Sequence, residues 1–296
     1  MGNRQSQRAT LRSATMTPIN RDVMEWYALD TVFKIRKWDG SNWSDGVTPK
    51  TSTGIVLKFA QIYEDSGIWY GVASNFSSYK IYNTTGNPAN GDTRWSELIG
   101  SGSASIKYIS RSRYGIWFGI KENGKLQVMN NNQPADKPNG TWTDFDSVLD
   151  PASSAYVEEA LSVASGLNNI YGIPDNSTNY IHGLNTSDGT WNEVREPVLA
   201  SGNRRKYGTI MAGPDFWIAI GTDKLVYGST SRLDEQPLFD DSSRVQLGNL
   251  QVQSIAYPSS LNSPISGPCQ GRPIPPGIDQ ARLTSLLLEI KCILEQ

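Results

Sequence analysis

The chain has 296 residues, of which 38% are hydrophobic, 10% aromatic and 19% charged, with a formal net charge of −2 at pH 7. Many aromatics, 27 glycines and few charges suit short strands joined by tight turns, and argue against a helical bundle or a disordered chain. The near-neutral balance gives no global drive toward nucleic acid or an anionic membrane, and no apolar run approaches the roughly 20 residues of a membrane span.

Residues 1–21 hold Arg4, Arg8, Arg12 and Arg21 and no acid. They read as a basic N-terminal arm with little to bury, suited to docking on a protein partner. Met1 to Ser6 matches the short myristoylation pattern, but the segment has no apolar core of a signal peptide, so cytoplasmic synthesis is expected.

An aromatic repeat fills residues 22–265. Apolar segments recur at Trp26–Leu29, Ile68–Val72, Ile116–Ile120, Ile170–Ile173 and Phe216–Ile220, with anchors Trp26, Trp69, Trp117, Tyr171 and Trp217 spaced 43, 48, 54 and 46 residues apart. That spacing brackets the roughly 40–50 residue period of propeller blades. A second element follows each anchor, among them Tyr79–Tyr82, Lys125–Met129 and Lys224–Tyr227. A third carries Trp43, Trp95, Trp142 and Trp191, which share one repeat position and so read first as packing between blades. A fourth runs through Ile55–Phe59, Ile106–Ile109, Ala160–Ala164, Tyr207–Met211 and Val252–Ala256. The pattern predicts an all-β, five-bladed β-propeller of four-stranded antiparallel blades. The last strand, near Ile255, can complete the first blade and close the ring; Ala14–Thr17 competes for the same slot. The stretch Ser154–Ala164 could form a short helix, but the repeat demands a strand in its second half.

Catalytic signals are sparse. The chain has one histidine, His182, so a His/Cys zinc site or a serine triad would rest on one imidazole. No phosphate-binding loop, dinucleotide fingerprint or calcium loop is present, and no cofactor or metal is expected. A glycosidase would need two carboxylates about 5–10 Å apart across a cleft. Asp30, Asp65, Glu97 and Asp215 are the candidates, but no distinctive motif surrounds them. The expected protein is not an enzyme.

The run Trp95–Ser103, followed by Ile106–Ile109, Ile116–Ile120 and Gly124–Gln127, resembles the repeat of tachylectin-2-like lectins, as does Thr222–Tyr227. The resemblance spans roughly residues 22–262. It implies a five-bladed propeller with sugar sites repeated around the ring, selective for N-acetylated hexosamines. The chain departs from the family at Ser103-Ala104, which follow Gly102 where the family repeat has Gly-Trp, and at Leu199–Gly202 in the fifth blade. Trp38–Trp43 is similar, more loosely, to fungal fucose-binding propellers, whose recurrent arginines are missing here. Sugar sites need an aromatic face together with short polar groups for the hydroxyls. Asp92, Arg94, Trp95, Ser101, Ser103, Asn131 and Asn132 supply that vocabulary near one blade junction and are the candidate glycan contacts. A turn is the competing reading of the Asn run.

Residues 266–278 contain Pro268, Pro273, Pro275 and Pro276, a stiff linker. Residues 279–296 read as a helix capped by Asp279, with Leu283, Leu286, Ile290 and Ile293 as a seam widened by Leu287 and Leu294. So short a helix needs its stripe covered, by the propeller's own face or by other chains, and association into a homo-oligomer or larger particle is the favoured expectation. Cys269 and Cys292 read as reduced thiols, although a disulfide could staple helix to linker.

Together these features predict a non-enzymatic recognition protein that binds surface glycans and is displayed in an assembly, a layout that fits a virion accessory or receptor-binding protein of a phage. The alternatives are a structural component whose propeller makes only protein contacts, a free-standing soluble lectin and, last, a glycoside hydrolase.

Overall fold

The computed structural model describes residues 25–74, 77–98, 105–111, 116–130, 137–144, 160–165, 170–174, 179–184, 191–194, 198–213, 216–232, 235–240 and 250–257. The basic arm, the proline-rich linker, the helix expected at 279–296 with its leucine seam, and both cysteines lie outside them.

The described residues form a five-bladed β-propeller. Blade one joins β1 (Tyr27–Asp30) and β2 (Ile35–Lys37) to β19 (Val252–Ala256). Blade two holds β4 (Phe59–Asp65), β5 (Ile68–Ala73), β6 (Lys80–Thr84) and β7 (Arg94–Glu97), with β3 (Lys50–Thr51) added parallel to β7. Blade three holds β8 (Ile106–Arg111), β9 (Trp117–Lys121), β10 (Leu126–Asn130) and β11 (Thr141–Asp144). Blade four holds β12 (Ala160–Ser165), β13 (Ile170–Pro174), β14 (His182–Leu184) and β15 (Trp191–Glu193). Blade five holds β16 (Tyr207–Ala212), β17 (Phe216–Gly221) and β18 (Val226–Arg232).

Ring closure falls to the C-terminal candidate. Antiparallel pairing of β1 with β19 sets Tyr27 against Ala256 and Leu29 against Ser254, so the two ends of the repeat share one sheet. Ala14–Thr17 lies outside the described residues. The fourth position is irregular in two blades. In blade one Ile35 exchanges backbone bonds with Val47 (2.9 and 2.8 Å) beyond β2, and in blade five the Ser229 hydroxyl bonds both backbone groups of Leu238 at 2.9 Å. The second half of the ambiguous 154–164 stretch is strand, as the repeat requires.

The strand choice follows from burial. The inner strands touch neighbouring blades as well as their own sheet, so β17 is buried at every residue and β5 at all but the first. Such strands read as continuous apolar runs instead of alternating ones. Between β4 and β5, Ser66 and Gly67 both take positive φ (53° and 80°), the tight turn that suits two antiparallel strands. The Glu64 carboxylate accepts the Gly67 N–H at 2.7 Å and fixes that turn.

Hydrophobic packing is divided by junction. Among the described residues there are five buried clusters, and each spans two adjacent blades. Trp26, Trp95, Trp117 and Trp217 are fully buried in four of them. Each junction is therefore a small core of its own, and the spaces left around it are set by the residues that cap it.

At the ring's centre, polar side chains strap one inner strand to the next. Gln61 donates to the carbonyl of Ile109 and accepts from its N–H, both at 2.8 Å. Ser162 bonds the carbonyl and N–H of Ile210 (2.8 and 2.9 Å), and Ser254 those of Ile62 (3.1 and 3.2 Å). These three occupy the same strand position and satisfy backbone groups that no sheet partner reaches. At that position in blade three stands Tyr108, whose hydroxyl donates to the Ile210 carbonyl at 3.1 Å. Burial pushes the Tyr108 hydroxyl up to about 12, so it remains a donor.

Candidate functional site

The residues singled out in blades two and three are placed as follows. Trp95 is 1% exposed, with its ring edge against Phe59 at a centroid distance of 4.8 Å. Its face belongs to the junction core and offers no platform for a sugar. Asp92 and Arg94 are exposed at the outer strand of that blade, where Arg94 donates to the carbonyls of Gly91 and Thr93 (2.8 and 3.1 Å). Ser101, Ser103, Asn131 and Asn132 lie outside the described residues. Trp142 is 9% exposed, and its ring sits over Gly119 so closely that a Cβ there would meet it at 2.8 Å. The repeated tryptophans thus include packing residues, as their shared position suggests.

Three of the four carboxylates considered for hydrolysis have structural partners. Asp30 accepts the N–H groups of Val32 and Lys34 and pairs with Arg36 at 2.7 Å. Asp65 is buried against Arg111 at 2.5 Å. Glu97 pairs with Lys80 at 3.0 Å. Asp215 lies outside the described residues. Among the described residues no group of three His, Cys, Asp or Glu side chains is placed to hold a metal ion, and no helix is long and apolar enough to cross a membrane.

A cleft of about 400 Å³ opens at the junction of blades four and five. Three separate segments build it. Tyr180 enters from the approach to β14, Leu199 to Lys206 form the loop before β16, and Thr222, Asp223 and Tyr227 come from the β17–β18 turn and β18. The loop folds back on itself through the Leu199 N–H to the Asn203 carbonyl (2.9 Å), with Gly202 at φ 79° making the reversal. The turn is anchored to that loop by the Thr222 N–H on the Lys206 carbonyl at 3.0 Å.

Two arginines lie on two tyrosines in this cleft. The Arg204 guanidinium stands 4.7 Å from the centre of the Tyr180 ring and also pairs with Glu193 and reaches the Val194 carbonyl (3.5 Å). The Arg205 guanidinium lies 3.9 Å from the centre of the Tyr227 ring and donates to the Asp240 carbonyl at 3.0 Å. The Tyr227 hydroxyl donates to Asp223 at 2.5 Å, and Asp223 also accepts the Leu225 N–H at 3.0 Å. Stacking over a ring holds a guanidinium in place and leaves N–H groups at its edge for a ligand.

A smaller cavity of about 180 Å³ lies at the mouth of the central channel, between Lys107, Gln253, Thr209 and the strap residues Gln61 and Ser254. Its best-placed polar atoms are already committed to the straps.

Sequence reasoning missed the larger cleft. The signal available was Arg204-Arg205-Lys206, three adjacent cations in a chain of low charge, one residue beyond the Leu199–Gly202 segment. Two stretches linked to the lectin resemblance, Leu199–Gly202 by its departure and Thr222–Tyr227 by its likeness, converge on this one site.

No family model and no curated protein matches the chain. Among solved structures, it is similar to glutaminyl cyclase of Myxococcus xanthus (9% identity, TM-score 0.40, 77% of this chain and 80% of that one). It is similar also to YCF48 bound to D1 peptide (10%, 0.37, 70% and 62%) and to the outer-coat vertex of COPII on membranes (14%, 0.37, 75% and 65%). The chain spans less than two thirds of the latter two. At these values none of them assigns a function.

Proposed function

We propose that this propeller is a non-enzymatic recognition protein that binds a surface glycan in the cleft between blades four and five. The observation that carries the reading is the cleft's lining. Leu199 supplies an apolar wall, Asn203 and Thr222 supply short polar groups for hydroxyls, and two stacked arginines supply oriented donors. Its volume suits one or two sugar rings, within the roughly 300–1,000 Å³ range of small-ligand sites. The basic arm and the C-terminal helix would hold the propeller in an oligomer or larger particle, an arrangement that fits a phage virion accessory or receptor-binding protein.

The test is a broad glycan array probed with the full-length protein, its oligomeric state measured by mass on the same sample. Binding to a narrow set of glycans, lost on replacing Asn203 and Thr222 by bulky Leu and Ile in a protein that keeps its melting temperature, supports the proposal. A well-folded oligomer that binds no glycan overturns it and leaves a component that makes only protein contacts.

A further inference from the structure

The charge of the cleft carries a step beyond glycan binding, and it rests on that reading. Three adjacent cations, Arg204, Arg205 and Lys206, line the cleft with one carboxylate among the described residues, Asp223. Asp223 is occupied by the Tyr227 hydroxyl and the Leu225 N–H. Arg204 is balanced by Glu193 outside the lining. Among the described residues Arg205 meets only a carbonyl and an aromatic face, so no carboxylate balances it. Lys206 adds a further exposed cation beside it.

That arrangement is wasteful for a neutral sugar. A hydroxyl takes one hydrogen bond from a guanidinium, whereas a planar oxyanion takes two parallel ones and neutralises the charge. Stacking on Tyr227 holds Arg205 in place before any ligand arrives, so little side-chain entropy is lost when a carboxylate or sulfate docks on its edge. At the junction of blades two and three the corresponding backbone is capped by Ser105 and Glu122 instead, which bond each other at 3.1 Å. The lysine of this cleft at position 206 is therefore not repeated at the matching position of that junction.

We infer that the cleft selects an acidic sugar, one whose ring carries an oxyanion substituent, with Arg205 as the principal anion contact and Lys206 beside it. This departs from the neutral N-acetylated hexosamines that the lectin resemblance implies.

The experiment is titration calorimetry on the full-length protein with three probes of equal length: a neutral N-acetylhexosamine oligosaccharide, a uronic-acid oligosaccharide and a sulfated one. Inorganic sulfate and acetate serve as sugar-free anions. The expected result is that at least one acidic oligosaccharide binds about tenfold or more tightly than the neutral one, the scale of one charge-assisted hydrogen bond pair. That preference should shrink as salt is raised. Arg205→Ala should remove it, Arg205→Lys should restore only part of it because the fork is lost, and Lys125→Ala, which removes an exposed cation on blade three, should leave it intact. The uronic and sulfated arms tell a carboxylate from a sulfate ester. Equal binding of neutral and acidic probes, unaffected by Arg205→Ala, overturns the inference while glycan recognition stands. Sugar-free anions binding as tightly as the acidic oligosaccharides sink the glycan reading and leave an anion site. Absence of all binding in a protein with unchanged thermal unfolding overturns both.

Discussion

Two junctions of the ring, between blades two and three and between blades four and five, share a backbone and differ in what closes it. At the centre both are strapped, by Gln61 on the Ile109 peptide group and by Ser162 on the Ile210 peptide group. In their cores Trp117 and Trp217 occupy the same repeat position, both fully buried. Toward the loops the Glu122 N–H meets the Ser105 carbonyl at 2.8 Å, as the Thr222 N–H meets the Lys206 carbonyl at 3.0 Å. Even the following turn matches: Gly124 (φ 86°) and Lys224 (φ 65°) stand at the same left-handed position, Lys224 without the freedom of a glycine. The side chains then diverge. Ser105 spans to the Tyr79 N–H at 2.9 Å and to Glu122, bridging the first junction, whereas the matching positions of the second, Lys206 and Thr222, line a cleft. The lesson is that the ring is held by parts common to its junctions, so the loop ends are free to specialise.

Removing a shared part should cost the same at both junctions. Trp117→Ala and Trp217→Ala should each destabilise by about 3–5 kcal/mol, the cost of emptying a packed aromatic site. Denaturant unfolding checks this, and a loss at one position alone would mean that the two junctions are not equivalent. Next in size are the straps. Gln61→Leu and Ser162→Ala each leave a buried N–H without its partner and should cost about 1–3 kcal/mol. Ser162→Ala should be the milder, because Tyr108 still reaches the Ile210 carbonyl.

Exchanging the specialised parts should change binding and spare stability. Lys206→Ser with Thr222→Glu copies the Ser105–Glu122 bridge into the cleft. Its effect on unfolding should stay within about 0.5 kcal/mol, the usual range for exposed substitutions. Glycan binding, measured on the same preparation, should be lost. Retained binding would break the comparison by placing the ligand elsewhere on the ring.

The same division explains what could be read from the sequence. The anchors from Trp26 to Trp217 stood out because inner strands are buried on several sides and write long apolar runs. The strand near Ile255 was legible as a candidate to close the ring because the repeat began one strand short, but Ala14–Thr17 competed for the slot, which only the pairing of β1 with β19 assigns. The outer positions were harder. β3 is two residues, Lys50 and Thr51, with no apolar pattern to mark it, and the outer edges of blades one and five rest on Val47 and Leu238 instead of regular strands. The cleft was illegible for another reason. Tyr180, Arg205 and Tyr227 lie in three segments that only the ring brings together, and no local spacing records that meeting. Trp95 misled as a sugar platform because a tryptophan in a polar stretch looks the same whether its ring is open to solvent or buried beside Phe59.

The smallest expected effect is a difference in acid sensitivity. His182 on β14 pairs in register with Glu193, as Tyr82 on β6 pairs with Glu97 at the other junction. Burial lowers the His182 imidazole below its ordinary 6.5, and the charge of Glu193 offsets only part of that. A histidine whose folded value is depressed favours the neutral form, so the folded state binds fewer protons than the unfolded chain. Its contribution is fully present above about 6.5 and is lost as pH falls from there through the lower folded value. Tyr82 is raised above 10.0, chiefly by burial, and holds its proton throughout that window. Acid should therefore loosen the junction of blades four and five through His182, while the other junction has no counterpart at this position. His182→Gln should flatten the decline of melting temperature between pH 7 and pH 5, and Tyr82→Phe should not. An unchanged slope in His182→Gln would assign the acid sensitivity to carboxylates such as Asp144, which its bonds from Lys121 and Gln127 hold below the usual 3.8 and which therefore act only at lower pH.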